Sequence, residues 1–373
     1  MKSIPNITYL LGAGASANAL PVINELPARL NLLKTLLSER CDYEVQSYTN
    51  TKKFNNEIKN ISITLIEEIK WVLEELKSHS TIDTLAKRFY LISSRHPDLI
   101  RLKKVLYIYF LFEQGYDDTD IRKEIRKEVP DKRYDSFIAT YISPKIDKLE
   151  IPGNIKIVTW NYDFQFDLAF SKYLTDTSID KVKEMIQVYP NLSGQYNTFD
   201  YSKFGIVHLN GIVNGVLDWE VTSDLRYDFD YIDDTKERFL NKLCASFHNL
   251  SKEELRYLTY SWEDPQEFSI TIKDKNNLKQ IANKIFSETD VLVIIGYSFS
   301  IFNRTIDNEL MRSIKGDIRR IYIQDTKENV EDVKNIFIDS FSNAIGLFKG
   351  RLPNIVSTVN YTNQFYIPPE MNL

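Results

Sequence analysis

Five short apolar runs, each ending in glycine or polar residues, place the strongest constraint on how this chain folds. They are ITYLLGAGAS from Ile7, IKIVTWNYD from Ile155, FGIVHLNG from Phe204, DVLVIIGYS from Asp290 and RRIYIQDT from Arg319. Apolar runs of this length with turn-forming ends are typical of buried strands in a parallel sheet. Segments with helical spacing alternate with them. We therefore predict an α/β fold, with a Rossmann-like, mostly parallel sheet and helices on both faces.

The chain between the first two runs has a different character. Residues 25–150 are rich in Leu, Lys, Glu and Ile at helical spacing, as in NNEIKNISITLIEEIKWVLEELKS. We therefore expect a large, mainly helical insertion over 25–150, with residues 1–24 and 151–373 forming the core that carries the sheet. A second insertion is expected within that core at about 215–275, where the acid-rich stretch YDFDYIDDTKE lies.

The composition argues against several classes of function. The chain has 373 residues and a net charge of −5, which does not suit a broad basic surface for nucleic acid. Its two cysteines, Cys41 and Cys244, form no CxxC pair, so a four-cysteine zinc site is excluded and no metal site is expected. The sequence has no apolar run of about 18 residues and no secretory pattern. We therefore expect a cytoplasmic protein without a membrane span.

The residues that follow the five runs are the candidates for a binding site. In doubly wound sheets, ligands bind in a crevice at the carboxyl ends of the strands. In the order of the runs, the residues there are Gly12, Ala13, Gly14, Ala15 and Ser16; Asn161 and Asp163; His208; Gly296 and Ser298; and Gln324 and Asp325. Each group also has a simpler explanation, because glycines make tight turns and Asn or Asp residues cap helices. Five such groups at one edge nevertheless favour a shared crevice.

The motifs GAGAS, TWNYD, VHLNG and IIGYS together resemble those of the sirtuin-like family, most closely the sirtuin-like domains of bacterial antiphage defence proteins. The resemblance implies a core that binds NAD as its substrate and hydrolyses it to nicotinamide and ADP-ribose. It assigns Gly12 to Ser16 to the first glycine-rich loop, Asn161 and Asp163 to the family's Asn-x-Asp pair, and His208 to its catalytic histidine. Gly296 to Ser298 match the second ribose- and phosphate-binding turn.

Two departures separate this chain from the protein-deacylating members of that family. Those members carry a zinc ribbon of four cysteines, which two cysteines cannot build. They also carry Gly-Ile-Pro-Asp-Phe-Arg after the first loop, where this chain has NALPVINELPARL, with Pro21 kept and the Phe-Arg absent. Both departures argue against NAD-dependent deacylation as the function, and neither argues against NAD cleavage. A further alternative is a regulatory subunit that binds a nucleotide without catalysis.

The glycine-rich turn and its neighbours would bind the dinucleotide. Backbone amides of Ala13 to Ser16, with the N-terminus of the helix that follows, would hold the pyrophosphate. Glycine suits this position because a Cβ would block the close approach of a phosphate. The hydroxyls of Ser16 and Ser298 would donate to phosphate or ribose, and Gln324 or Asp325 would contact the adenosine end.

The three catalytic candidates would act at the nicotinamide–ribose bond. Asn161 would hold the ribose hydroxyls or a water beside the anomeric carbon, and Asp163 would orient that group or stabilise the developing cation. His208, from an ordinary pKa of about 6.5, needs only a modest shift to act as a base, which is typically worth about 100- to 10,000-fold in rate. The residues leave open whether the product is linear or cyclic, and whether NADP is also cut.

An enzyme that depletes NAD would poison its own cell, as an effector of abortive infection does, so it must stay inactive until it is triggered. The resemblance implies a homo-oligomer and, as a possible partner, an ATPase of the HerA type. The trigger and the number of subunits are not determined by the residues.

Overall fold

The computed structural model describes most of the chain and divides it into two compact units. The described residues are 4–21, 25–42, 51–115, 130–145, 148–174, 182–183, 185–190, 198–213, 235–250, 255, 258–263, 272–315, 318–345 and 352–371. One unit, called the sheet unit, comprises Met1–Ala17, Val129–Ile212 and Thr259–Leu373. The other, called the helical unit, comprises Asn18–Glu128 and Val213–Leu258.

The sheet unit contains a seven-stranded sheet among its described residues, in which every neighbouring pair of strands is parallel. The strands of the chain are β1 (Ile7–Leu11), β2 (Ser143–Lys145), β3 (Lys148–Glu150), β4 (Ile155–Thr159), β5 (Val188–Tyr189), β6 (Gly205–His208), β7 (Val291–Ile295), β8 (Arg320–Gln324) and β9 (Val356–Val359). The order in the sheet is β5-β6-β4-β1-β7-β8-β9, and β2 and β3 form a separate antiparallel pair. The prediction of a Rossmann-like α/β fold is thus confirmed.

Helices flank this sheet and build the helical unit. The α-helices are α1 (Leu26–Cys41), α2 (Thr51–Leu76), α3 (Ile82–Leu91), α4 (His96–Gly115), α5 (Lys132–Tyr141), α6 (Gln165–Ser171), α7 (Thr235–Asn249), α8 (Ile272–Ser287), α9 (Arg304–Ser313), α10 (Val330–Phe341) and α11 (Leu352–Ile355). Local sequence explains several starts: Pro occupies the first turn of α1, and Thr81 caps α3 by accepting from the Thr84 amide at 3.2 Å. No helix of the described part of the chain is both long and apolar enough to cross a bilayer.

The strands alternate their side chains between two apolar clusters, one on each face of the sheet. Leu10 packs into a cluster with residues of α8, α9 and α10, including Phe286, Leu310 and Phe337. Its neighbours Tyr9 and Leu11 point to the other face, where the cluster includes residues of α5 and α6. All five residues of β1, β4 and β7 are buried, as both-sided covering requires.

The helical unit is held by apolar packing and by buried ion pairs. Helix α2 packs against α1, α4 and α7. Arg29 of α1 makes a bidentate pair with Glu113 of α4, at 2.7 and 2.8 Å. Arg40 donates to Asn241 and lies 3.3 Å from Glu237, both on α7. Bidentate arginine pairs of this kind set the geometry of a buried contact.

The unit boundaries differ from those expected from the sequence. The structure groups 129–150 with the sheet rather than with the helical insertion. The physical reason is that α5 places Tyr134 and Phe137 in the same apolar cluster as Ile7 and Tyr9 of β1. The second insertion, expected within the core at about 215–275, contributes residues up to Leu258 to the helical unit; its residues at 214–234, 251–254, 256–257 and 264–271 lie outside the described part.

Candidate functional site

The strand order of the sheet reverses at β1, which lies between β4 and β7. The chain passes from β1 to β4 and β6 on one side, and then crosses to β7 and β8 on the other. Such a switch point opens a crevice at the carboxyl ends of the strands. The register puts one row of residues across this edge of the sheet: His208, Thr159, Leu11, Ile295 and Gln324. The candidate residues that follow these positions therefore begin from one row at the carboxyl edge of the sheet.

The glycines after β1 and β7 face each other. A Cβ added at Gly12 would lie 2.6 Å from the Gly296 carbonyl oxygen, and one at Gly14 would lie 2.7 Å from Gly296 Cα. The Gly14 amide donates to the Gly296 oxygen at 2.9 Å, and Gly296 has a φ of +58°. These glycines are therefore needed for the close packing of two turns, whatever the turns bind.

The backbone of the first turn is largely used within the protein. The Gly14 amide is bonded to Gly296, and the Ala15 amide donates to the Gly12 oxygen at 2.9 Å. The element that follows β1 is a 3-10 helix over Ala13–Ser16, rather than the α-helix whose N-terminus was expected to hold a pyrophosphate. A phosphate at this turn would thus find fewer free amides, and a weaker dipole, than the sequence pattern predicts.

Arg133 of α5 fixes the carbonyl side of the same turn. Its Nη2 donates to the oxygens of Gly14 at 3.1 Å and Ala15 at 3.0 Å, and to Asp131 Oδ2 at 2.6 Å. Both members of this ion pair are buried, with 5% of Arg133 and none of Asp131 exposed. The sequence pattern did not identify Arg133, because the segment that carries it looked like part of the helical insertion.

Asn161 joins the turn after β4 to the turn after β1. Its Nδ2 donates to the Gly12 oxygen at 3.0 Å and contacts Ser16 Oγ at 3.4 Å. Ser16 is buried, and its hydroxyl also bonds to Tyr134 Oη at 3.0 Å. The structure thus brings Asn161 and Ser16 together as predicted, but the Ser16 hydroxyl expected to meet a ligand already has protein partners.

Asp163 has both a structural and an electrostatic role. Its Oδ1 accepts at 3.2 Å from the amide of Gln165, the first residue of α6, and so orders the turn before that helix. Burial raises its pKa to about 6, although hydrogen bonds from Ser16, Gln165 and Asn161 oppose the rise. The carboxyl group is therefore close to the point at which it gains or loses a proton near neutral pH.

His208 lies beside Asn161, and its two ring nitrogens differ. Nδ1 is 2.8 Å from the backbone oxygen of Asn161, which can only accept, so Nδ1 carries the hydrogen and donates. Nε2 is then an acceptor; it is buried and has no hydrogen-bond partner in the described ranges. Burial lowers the pKa of the ring to about 4, further than the modest shift expected, so the histidine is neutral at pH 7.

Gln324, one of the outer candidates, bonds to a neighbouring segment of the chain. Gln324 Nε2 donates to the oxygens of Tyr361 at 2.7 Å and Gln364 at 2.8 Å, while its Oε1 accepts from the Tyr366 amide at 3.0 Å. Its side chain therefore anchors the segment after β9, and the expected adenosine contact stays a prediction.

Two further candidates lie at the same edge. Asp325 Oδ1 accepts from the Thr326 amide at 2.7 Å, which closes a local turn and uses one of its oxygens within the chain. Ser298 is exposed, and its expected hydrogen bond to phosphate or ribose stays a prediction.

A short segment of the sheet unit, residues 259–263, bonds to the loops that follow β4, β6 and β7. Thr259 donates twice to the Asn210 oxygen, from its amide at 2.8 Å and its hydroxyl at 3.0 Å, and its own oxygen accepts from Tyr162 Oη at 2.7 Å. Ser261 Oγ donates to the Phe302 oxygen at 2.7 Å. This connection was hidden in the sequence, because the segment falls within the expected second insertion.

No family model matches this chain, and no curated protein matches it significantly either. Among the residues that the structure describes, no group of three or more His, Cys, Asp or Glu side chains is arranged to hold a metal ion. What the chain does must therefore be inferred from the chemistry of its own residues.

Proposed function

We propose that this protein is an NAD hydrolase that cleaves the nicotinamide–ribose bond. The observation that carries the proposal is the arrangement of His208: its Nδ1 is tied to the Asn161 backbone, and its Nε2 lone pair has no partner among the described residues. A buried acceptor without a partner costs free energy, which a bound water or substrate hydroxyl would recover. His208 ends β6, beside β4, at the carboxyl edge of the sheet, and nucleotides bind at this edge in folds of this kind.

The reaction needs little from the protein beyond orientation and a base. Nicotinamide leaves as a neutral molecule with the electron pair of the C–N bond, so positive charge develops on the ribose. A water oxygen forms the new bond to the anomeric carbon and transfers a proton to Nε2 of the neutral His208. The products are nicotinamide, ADP-ribose and one proton. A pKa of about 4 keeps His208 unprotonated across the physiological range and also makes it a weaker base than an ordinary histidine.

Asn161 and Asp163 support this chemistry from the neighbouring turn. The Asn161 amide group already bonds to the first turn through Nδ2, which leaves its oxygen side to orient a ribose hydroxyl or the water. The buried Asp163 carboxyl group, with its pKa near 6, is mostly ionised at pH 7 and provides negative charge close to Asn161. Negative charge there stabilises a developing cation.

The biological setting is proposed from the sequence motifs. An NAD-depleting effector of antiphage defence that forms a homo-oligomer, with an ATPase of the HerA type as a possible partner, is consistent with the four strand-end motifs. A regulatory subunit that binds NAD without cleaving it would need the glycine turns. It would not need a histidine whose Nε2 lacks a hydrogen-bond partner among the described residues. That acceptor is the reason to prefer an enzyme.

Nicotinamide release from NAD tests the proposal. The purified chain, with and without the proteins encoded beside it, is incubated with NAD and the products are separated by chromatography. His208→Asn should reduce cleavage at least a hundredfold, because the asparagine amide keeps the donor at the Nδ1 position and removes the base. His248→Ala, at an exposed histidine of α7, is the matched control and should retain full activity.

The two main outcomes separate the candidate functions. Cleavage that depends on His208 and Asn161 but not on His248 supports the hydrolase. NAD binding without turnover under every condition would instead favour the regulatory subunit, and full activity in His208→Asn would remove this histidine from the mechanism.

A further inference from the structure

Asp307 of α9 is a buried carboxyl group that connects two of the site's turns. Its Oδ1 accepts from Trp160 Nε1 at 3.2 Å, and its Oδ2 accepts from Tyr297 Oη at 2.6 Å. Trp160 immediately precedes Asn161, and Tyr297 immediately follows Gly296. One side chain thus holds the ends of β4 and β7, the two strands on either side of β1.

The surroundings of Asp307 make a buried charge expensive. None of the residue is exposed. Burial raises its pKa to about 7, although the bonds from Tyr297 and Trp160 and the charge of Arg304 oppose the rise. The Tyr297 hydroxyl also interacts with Asn303. An asparagine would fill the same volume without the charge, so fold stability alone does not explain an aspartate here.

The two hydrogen bonds are stronger to a carboxylate than to a neutral group. Bonds to an ionised acceptor are shorter and roughly twice as strong as neutral ones. The Trp160 indole can only donate, so it is bound best when Asp307 is ionised. When Asp307 takes up a proton, the carboxyl group gains a donor of its own and both existing bonds lose their charge assistance.

We propose that Asp307 is a positioning residue of the candidate site: its carboxylate holds the Trp160–Asn161 turn against the Gly296–Tyr297 turn, and protonation loosens this connection. The inference rests on the proposed function for its consequence in ligand binding, but the connection itself can be measured without any ligand. It adds to the site a residue that touches neither substrate nor reacting atoms.

The connection is tested by ¹⁵N NMR of the full chain labelled at tryptophan indoles and backbone amides. The Trp160 indole signal, assigned with Trp160→Phe, should shift with pH through a midpoint near neutrality in the wild type and not in Asp307→Asn. The amide signals of Asn161 and Gly296 should also move in Asp307→Asn. Asp339→Asn, at an exposed aspartate of α10, is the matched control and should change none of these signals.

Binding of ADP-ribose, measured by calorimetry, tests the consequence for the site. Asp307→Asn should bind ADP-ribose about tenfold more weakly than the wild type at pH 8 while unfolding at no lower urea concentration. Unchanged amide signals of Asn161 and Gly296 in Asp307→Asn would overturn the proposal, and so would a pH titration of the Trp160 indole that persists in that variant. If the wild type binds ADP-ribose, an equal affinity of Asp307→Asn for ADP-ribose would also overturn it. A wild type that releases no nicotinamide from NAD but shows the NMR changes would refute the proposed function and still support the positioning role.

Discussion

Gly14→Ala distinguishes a glycine needed for packing from a glycine needed for a ligand. The added Cβ would lie 2.7 Å from Gly296 Cα, 3.1 Å from its oxygen and 3.3 Å from its carbonyl carbon. All three atoms are backbone, so no flexible side chain can move aside. Gly14 lies in the 3-10 helix after β1 and is not among the glycines with positive φ, so an alanine fits its backbone conformation. The cost therefore comes from the contact alone.

The expected magnitude follows from two opposing effects. Overpacking a close contact costs about 1–3 kcal/mol, and more where the backbone must shift. Replacing glycine by alanine at a compatible φ returns about 0.4–1 kcal/mol, because the unfolded chain loses freedom. We therefore expect Gly14→Ala to lower the free energy of unfolding by about 1–2 kcal/mol in the absence of any ligand.

Urea unfolding, followed by far-ultraviolet circular dichroism and tryptophan fluorescence, measures this loss. The neighbouring Ala13→Ser, at an exposed position of the same turn, should stay within about 0.5 kcal/mol of the wild type. A Gly14→Ala protein as stable as the wild type, but with weakened NAD or ADP-ribose binding, would refute the packing argument. It would mean that the turn opens toward a phosphate after all.

The buried ion pair under this turn and the buried titratable groups give two further predictions. Arg133→Met should destabilise the protein by about 3–5 kcal/mol in urea, because it removes the guanidinium charge that balances the buried Asp131 carboxylate; Asp131→Asn in the same chain should recover part of that loss. Carboxyl groups whose pKa is raised by burial stabilise the fold at pH values below the pKa that they have in the unfolded chain. This contribution is lost as the pH rises through about 6 to 7. These groups are Asp163, Asp167 and Asp307. His208 acts oppositely, since its lowered pKa removes stability as the pH falls from about 6.5 toward 4. These shifts of about two to three pKa units correspond to roughly 3–4 kcal/mol each, so a melting temperature that rose steadily from pH 5 to pH 8 would contradict the assignment.

The strands were predictable because the signal for them is local. A buried strand of a parallel sheet must be apolar at consecutive positions, and the runs at Ile7, Ile155 and Val291 show this in their own letters. The edge strand β5 was not predicted, since two residues carry too little pattern to stand out.

The candidate site was predictable in part, for a related reason. Parallel strands of a doubly wound sheet end at one edge, so residues after the runs at Ile155 and Phe204 had to come close. The contact of His208 with Asn161 is an instance, because Thr159 and His208 are direct partners in the register. The protonation state of His208 was less predictable, because the fall of its pKa depends on how deeply the ring is buried.

The amino-acid sequence by itself determined which segments become the central strands, and which polar residues stand at their ends, because both follow from neighbours in the chain. Only the tertiary structure decided what those end residues touch. Gly14 meets Gly296, Arg133 holds the turn carbonyls, and Gln324 binds the segment after β9. The partners in such contacts lie far apart in the chain, and a residue type cannot reveal which distant atoms will fill the space beside it.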